Sequence, residues 1–285
     1  MIKVEKDFLT IPSILKSANR KEAFSKNIEA KEYKFGKALY KTKSVQDLLN
    51  KIYNLKCAFC EKNLLDSDKH IEHYRPKSTY YWLSYSWDNL LLACGSCNSS
   101  KGNRFKINGN IAVYKNEEFE NIHELGSDYD IREMPLIVNP EKEDVINEIK
   151  YDSNARVFSQ NIRVQHTIEQ ACQLNRDELV EKRLPILNDF KNQINKHYVL
   201  FKDKGDISRF IPDIENFLDK VSKKNEFYSF RYFIVNNIDI FFDNKNIQEI
   251  LQALIKKIQN EKSSLRGIHM TFKRTGQESI KTSHV

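Results

Sequence analysis

The sequence predicts an α+β protein that is mainly α, with a small cysteine-rich core between short N-terminal helices and a larger, mostly helical C-terminal region. Three observations lead to this prediction. Four of the five cysteines fall in two Cys-x-x-Cys pairs within residues 57–97. Apolar residues recur at helical spacing after residue 162. Hydrophobic residues make up 40% of the 285-residue chain, which is enough to form a core and excludes a wholly disordered protein.

The individual elements follow from local patterns. The lysine-rich start of the chain predicts short helices, and apolar spacing predicts a helix over 45–54. The apolar run 135–140 lies between prolines and predicts an extended segment, and 156–158 predicts a short strand. Helical periodicity then continues to the C-terminal part of the chain, most clearly in 179–201, 212–221 and 247–258.

These patterns divide the chain into three expected regions. The first is an N-terminal helical region, 1–56, and the second is the cysteine-rich core, 57–110. The third is the mostly helical region 111–285, in which a polar sequence from about residue 267 predicts a flexible tail.

The excess of positive charge lies in the first part of the chain. The net charge is +7, and residues 1–110 carry 20 Lys and Arg against 11 Asp and Glu. A basic region favours a polyanionic partner such as nucleic acid, because neutralised phosphates release counterions. The sequence has no apolar run of membrane-spanning length and no signal-peptide pattern, so we expect a cytoplasmic protein.

The two cysteine pairs predict a metal site. Cys57 and Cys60 are separated from Cys94 and Cys97 by 33 residues. Two Cys-x-x-Cys turns complete a tetrahedral site for Zn²⁺, and a closed four-cysteine site is structural because no position is left for a reactant. The competing interpretation is that the two pairs are redox-active or occur by chance.

A candidate reactive segment lies between the cysteine pairs. Glu72 offers a hard oxygen ligand, and the adjacent His73 offers a base whose pKa can be tuned near neutral pH. In an extended strand, neighbouring residues point to opposite faces. His70 would then lie on the other face from His73, and we expect it to have a surface or supporting role.

Polar residues further along the chain complete the candidate set. Asn89 could fix the tautomer of an imidazole, although a turn role is the alternative. Asn98 has an amide oxygen that can bind a hard cation. Five aromatic residues could stack on bases or pack the small core: Tyr80, Tyr81, Trp82, Tyr85 and Trp87. Four basic residues are candidate phosphate contacts: Arg75, Lys77, Lys101 and Arg104.

The order of these motifs resembles a known family. Cys-x2-Cys, Glu-His, Asp-Asn-Leu and Cys-x2-Cys-Asn-x2-Lys-Gly, spread over 57–104, are similar to the HNH endonucleases of the ββα-metal fold. The resemblance implies that His73 is the general base and that Asn89 orients its loop. It also implies that Glu72 and Asn98 hold one catalytic divalent ion, and that the four cysteines hold the structural zinc.

Two residues depart from the common pattern of this family. Glu72 stands where many members have Asp, which moves the carboxylate outward by one methylene. Asn98 stands where many members have His, which favours a hard ion such as Mg²⁺ over a transition metal.

The flanking segments narrow the resemblance. The stretches 70–78, 85–90, 94–102, 135–140 and 174–179 together resemble the nuclease subunit of Septu-type and related retron anti-phage systems. The resemblance implies an endonuclease that hydrolyses nucleic-acid phosphodiester bonds, with DNA favoured, and that acts with an ABC/SMC-like ATPase partner. The C-terminal helices would either dock this partner or stabilise the nuclease.

Three other functions stay open at this point. The first is an RNA- or tRNA-cleaving effector with the same site. The second is a catalytically silent zinc module that binds nucleic acid or a partner. The third is a stand-alone restriction enzyme.

Overall fold

The chain forms two compact units in the computed structural model, which describes residues 1–36 and 38–278. The first unit comprises Met1–Leu184 and Ser222–Phe230, and the second comprises Pro185–Val221 and the described residues from Arg231 onward. The expected regions 1–56 and 57–110 therefore share one unit with the residues up to 184. No helix in the described part of the chain is long and apolar enough to cross a membrane.

The first unit opens with a 3-10 helix, Ser13–Lys16, which is followed by two α-helices. Helix α1 spans Ala18–Ala30, and helix α2 spans Lys43–Ile52. Helix α2 buries Val45 and Leu49, which lie one turn apart on the same face. The helix predicted over 45–54 is therefore confirmed, with its start and end shifted by two residues.

A two-stranded sheet and a helix form the centre of the first unit. Strand β1, Lys69–His73, pairs in antiparallel register with strand β2, Leu90–Cys94. Helix α3, Gly95–Lys101, follows β2 without a loop. Every residue of β2 is buried, as expected for a strand covered on both faces. The predicted β-β-α order, and with it the α+β fold class, is confirmed.

The rest of the first unit is largely irregular around short elements. Helix α4 spans Gly126–Glu133. Strands β3, Lys150–Tyr151, and β4, Val157–Phe158, form a second antiparallel pair, which confirms the strand predicted at 156–158. Helix α5, Ile162–His166, continues as a π-helical turn, Thr167–Ala171. The apolar run 135–140 forms no strand, and only an isolated bridge joins Ile107 to Pro135.

The secondary structure described in the second unit is all helical, with short irregular connections. Its helices bury an apolar core in which the rings of Phe190 and Phe217 stack with their centroids 4.2 Å apart. Pro212 lies in the first helical turn of α7, where its missing N–H costs no hydrogen bond. The helices from the start of α6 onward are α6, Asp177–Lys204; α7, Ile211–Asp219; α8, Tyr228–Asn236; α9, Ile238–Phe241; and α10, Lys245–Glu278.

The end of the chain differs from the prediction of a tail from about residue 267. Helix α10 continues to Glu278, through the first part of that segment. Residues 279–285 lie outside the described residues.

Four of the five aromatic candidates pack inside the first unit. Tyr80, Trp82, Tyr85 and Trp87 are buried. The indole N–H of Trp82 donates to the hydroxyl of Tyr129 at 3.1 Å, so its polar atom is satisfied within the fold. Packing, and not base stacking, is the role that these four positions support.

Candidate active site and zinc cluster

The four predicted zinc ligands lie together. Their sulfur atoms all lie within 4.8 Å of one another, and all four residues are buried. The Sγ atoms of Cys60 and Cys94 are 3.7 Å apart. A tetrahedron with Zn–S bonds of ~2.3 Å has S–S edges of ~3.8 Å, so the cluster has the size that Zn²⁺ requires. The predicted Cys₄ arrangement is confirmed.

The electrostatics of the cluster also fit a cation. Burial raises the pKa of the Cys57 thiol well above its usual value. Hydrogen bonds from Cys57, Cys60 and Cys97 instead hold the pKa of Cys94 far below its usual value. One thiolate is therefore stabilised by its three neighbours, and the remaining thiols need a bound cation to ionise.

A pocket of about 180 Å³ lies next to the zinc cluster, on the sheet and helix α3. Glu72 and His73 at the end of β1 line it, together with Asn98 of α3. Because Cys97 and Asn98 are consecutive, α3 contributes to both sites. The other pocket residues include Tyr40, Lys41, His70, Lys77 and Asn103.

His73 is held in one tautomer. Its Nε2 lies 3.0 Å from the carbonyl oxygen of Ser84. A carbonyl only accepts hydrogen bonds, so Nε2 carries the hydrogen and Nδ1 keeps its lone pair. Burial lowers the pKa of His73 to about 3, and the charge of Lys77 contributes to this shift. The imidazole is therefore neutral at pH 7 and can accept a proton.

Glu72 is fixed by a buried lysine. The ammonium of Lys101 lies 2.7 Å from Glu72 Oε1 and 2.7 Å from the carbonyl oxygen of His73. Burial raises the pKa of Glu72, and the positive charge of Lys101 opposes that shift. Lys101 is 0% exposed, so the prediction that it contacts phosphate is wrong. It orients the carboxylate and the adjacent backbone instead.

Asn89 lies behind the pocket and connects two of its loops. Its Oδ1 accepts from the backbone N–H of Arg75 at 2.7 Å, and its Nδ2 donates to the carbonyl of Arg75 at 3.1 Å and to that of Leu83 at 3.3 Å. The first loop follows His73, and the second contains Ser84, the partner of its imidazole. Asn89 is therefore placed to hold the His73 loop, and it makes no direct contact with the imidazole among the described hydrogen bonds.

The structure also contradicts the expected contact between Arg75 and phosphate. It is 2% exposed. Its Nε donates to Glu133 at 2.8 Å, and its Nη2 donates to Asp130 at 2.7 Å. The guanidinium therefore takes part in an ion-pair network with helix α4 and is not available to phosphate. Of the four basic candidates, Lys77 lines the pocket and Arg104 is exposed, so these two stay available for phosphate.

Sequence reasoning did not assign four polar residues to the pocket that line it: Tyr40, Lys41, His70 and Asn103. His70 shares a strand face with Glu72, two residues away, and both line the pocket. This alternation was available in the sequence as a signal. Tyr40 packs edge-to-face on the His73 ring with centroids 4.5 Å apart, and Lys41 follows it. They come from the segment before α2, and no motif marks them.

Comparisons with known proteins agree with this geometry. The family model for HNH endonuclease matches residues 57–104, which include both cysteine pairs and the pocket residues of the sheet and α3. The Septu protein PtuB of Bacillus mycoides (strain KBAB4) is 30% identical over 214 residues, which cover 67% of this chain and 68% of that protein.

Two further Septu proteins match shorter parts. The Septu protein PtuB of Bacillus thuringiensis is 45% identical over 51 residues, covering 17% of this chain and 20% of that protein. The Septu protein PtuA of Bacillus mycoides (strain KBAB4) is 25% identical over 161 residues, covering 52% of this chain and 21% of that protein. With its buried Cys₄ cluster beside a histidine and carboxylate pocket, the chain belongs to the Septu PtuB family of HNH endonucleases.

Proposed function

We propose that this chain is the effector subunit of an anti-phage defence system and cleaves nucleic acid, with DNA as the favoured substrate, in a reaction that needs Mg²⁺. One observation carries the proposal. The neutral His73, with a free lone pair on Nδ1, lies in the same pocket as the carboxylate of Glu72 and the amide of Asn98. This set contains a base and the hard oxygen donors that Mg²⁺ prefers.

The residues of the pocket have separate roles in this mechanism. His73 Nδ1 takes a proton from the water that attacks phosphorus, and Nε2 stays bonded to Ser84. Lys101 and Asn89 hold the carboxylate and the His73 loop in place. Glu72 and Asn98 would hold Mg²⁺, which supplies charge stabilisation for the phosphate and the leaving oxygen.

The low pKa of His73 belongs to the free chain. A general base works best when its pKa lies near the working pH. A bound phosphate favours the imidazolium and raises that pKa, whereas a bound Mg²⁺ opposes the rise, so the two together would set the basicity of His73 during the reaction. Lys41 and Lys77 line the same pocket and would attract the phosphate backbone without reading bases.

The defence role and the partner are supported by sequence similarity. Septu proteins of two names, PtuB and PtuA, match this chain. We therefore propose that the chain works in the cytoplasm with an ABC/SMC-like ATPase subunit of the same system. The C-terminal helices are the proposed docking region for this subunit.

A cleavage assay tests the proposal. Wild-type chain is incubated with plasmid DNA and with total RNA, with and without Mg²⁺ and the ATPase encoded beside its gene. We expect Mg²⁺-dependent DNA cleavage that falls ~10²–10⁴-fold in His73→Ala, as for loss of a positioned base. His166→Ala is the matched control, because His166 lies on α5 and does not line the pocket.

The alternatives give different outcomes. Cleavage of RNA alone would replace DNA by RNA as the substrate. Sequence-specific cuts without the ATPase would indicate a stand-alone restriction enzyme. No cleavage under any of these conditions, with zinc bound and the fold intact, would favour the silent zinc module.

A further inference from the structure

The zinc cluster has a partner outside the residues that match the HNH family. Arg176 lies just before helix α6 and points its guanidinium at two ligand sulfurs. Its Nη1 is 3.6 Å from Cys97 Sγ, and its Nη2 is 3.6 Å from Cys94 Sγ. One guanidinium therefore places one N–H on each cysteine of the second pair, which is the forked geometry that arginine alone provides.

Backbone carbonyls and a carboxylate also hold the guanidinium in place. Nη1 donates to the carbonyl oxygens of Cys172 at 3.2 Å and Gln173 at 3.3 Å, which follow the π-helical turn. Nε lies 3.5 Å from the carboxylate of Glu178. The side chain is only 16% exposed. Its direction is thus set by the chain around it, and no long flexible arm has to be ordered when the sulfurs bind metal.

Charge explains why a cation is needed here. Four thiolates around one Zn²⁺ carry a net charge of −2 in a buried site, and an isolated buried charge is costly. Arg176 supplies one positive charge at the sulfurs. Lys62 also lies near the cluster, but it pairs with Glu178, which also lies beside Arg176, so the negative charge of that carboxylate offsets one of the two positive charges.

We propose that Arg176 is an outer positioning residue of the zinc site, which binds two thiolates directly and ties the start of helix α6 to the nuclease core. The contact between Arg176 and the zinc ligands also connects to the proposed active site, because helix α3 is common to both. Cys97, which Arg176 contacts, is followed on that helix by Asn98 of the pocket. The inference rests on zinc occupancy and not on the proposed nuclease function, so the two can fail separately.

Zinc release is the direct test. Purified full-length chain is mixed with excess chromogenic chelator, and the rate of zinc transfer is recorded for Arg176→Met, Arg176→Lys and wild type. Loss of an outer partner of a metal ligand typically costs ~10–100-fold in metal affinity, so we expect about tenfold faster release or more from Arg176→Met. Arg176→Lys keeps the charge but loses the fork, and it should release zinc at an intermediate rate.

Arg183→Met is the matched control. Arg183 is buried on helix α6, seven residues after Arg176, and donates to the carbonyl of Leu174 at 2.9 Å; the hydrogen bonds described for it do not include a zinc-ligand sulfur. It removes a similar side chain and should release zinc at close to the wild-type rate. Release from Arg176→Met within twofold of wild type, or equal acceleration in Arg183→Met, would overturn the proposal. A wild-type rate in Arg176→Lys would overturn the forked contact.

A spectroscopic readout covers the case in which Arg176→Met folds poorly. In protein loaded with Co²⁺ in place of Zn²⁺, N–H donors to the sulfurs stabilise the sulfur lone pairs. Arg176→Lys should therefore shift the sulfur-to-cobalt charge-transfer band to longer wavelength, and Arg183→Met should not. An unshifted band in Arg176→Lys would contradict direct contact with the thiolates.

Discussion

The zinc cluster and the active-site pocket share the seven-residue helix α3, yet they are opposite kinds of site. The cluster uses four identical sulfur ligands, is fully buried and leaves no position open. The pocket combines a histidine, a carboxylate and an amide around about 180 Å³ of open volume. One short helix therefore carries both a residue of a closed cysteine cluster and a residue of an open candidate pocket.

We expect the largest loss of stability and activity when a zinc ligand is removed. Cys94→Ser should lose zinc and unfold the core of the first unit, because binding of structural zinc is coupled to folding. Zinc content after gel filtration and the far-UV circular dichroism spectrum measure both effects. Since Asn98 lies on the same helix, nuclease activity should vanish as well. A variant that kept normal zinc content would contradict the Cys₄ assignment.

The next largest effect is the loss of stability when the buried positive charge of Lys101 is removed. Lys101→Met leaves Glu72 with an uncompensated buried carboxylate, and breaking a buried pair costs about 3–5 kcal/mol. We expect a loss of that size in urea unfolding, with zinc retained. Lys106→Met is the control, because Lys106 is exposed and its loss should change stability by less than about 0.5 kcal/mol. Equal stability of the two variants would refute the positioning role of Lys101.

Arg75 and Lys77 form a natural pair, because they are two residues apart and differ in burial. Arg75→Met should destabilise the chain by about 3 kcal/mol, since it leaves the buried carboxylate of Glu133 without its positively charged partner. Lys77→Met should leave stability nearly unchanged and reduce the salt slope of nucleic-acid binding by about 1. Urea unfolding and binding at several salt concentrations measure these effects. The reverse pattern would restore Arg75 as a phosphate contact.

The smallest effect concerns pH and lies away from both sites. His123 accepts from the backbone N–H of Trp87 at 3.0 Å, and burial lowers its pKa to about 4. The unfolded chain has the ordinary value near 6.5, so it binds more protons than the folded chain between these values. Stability should therefore fall by about 2 kcal/mol from pH 7 to pH 5 through this residue.

His123→Gln isolates this contribution. The variant removes the titration of this side chain and leaves the other ionisable groups in place. Thermal unfolding of both proteins at pH 7 and pH 5 should show the larger drop in wild type. Equal drops would show that the buried imidazole does not control acid stability.

The two sites also differ in how far the sequence could predict them. The zinc ligands were found completely, because identical residues at a fixed spacing specify a closed tetrahedral site without knowledge of the fold. The β-β-α order of β1, β2 and α3 was implied only by the resemblance to the HNH family. The resemblance to the HNH family pointed to Glu72, His73 and Asn98, which share one pocket.

The rest depended on contacts between distant parts of the chain. Their basic side chains predict Lys101 and Arg75 as phosphate contacts, but the burial of both depends on the carboxylates of Glu72 and Glu133. Tyr40 reaches the pocket from the segment before α2. Arg176 likewise reaches the zinc ligands from well beyond the matched motif. No local pattern encodes such pairings, because they form only when the whole first unit packs.

The measurement that tests the division between the two sites most directly is the zinc content and the cleavage rate of His73→Ala, determined on one preparation. We expect zinc at the wild-type level and cleavage reduced ~10²-fold or more. Cleavage at the wild-type rate would contradict the role of His73 as the base. Loss of zinc together with activity would contradict the claim that the zinc cluster and the pocket have separate roles.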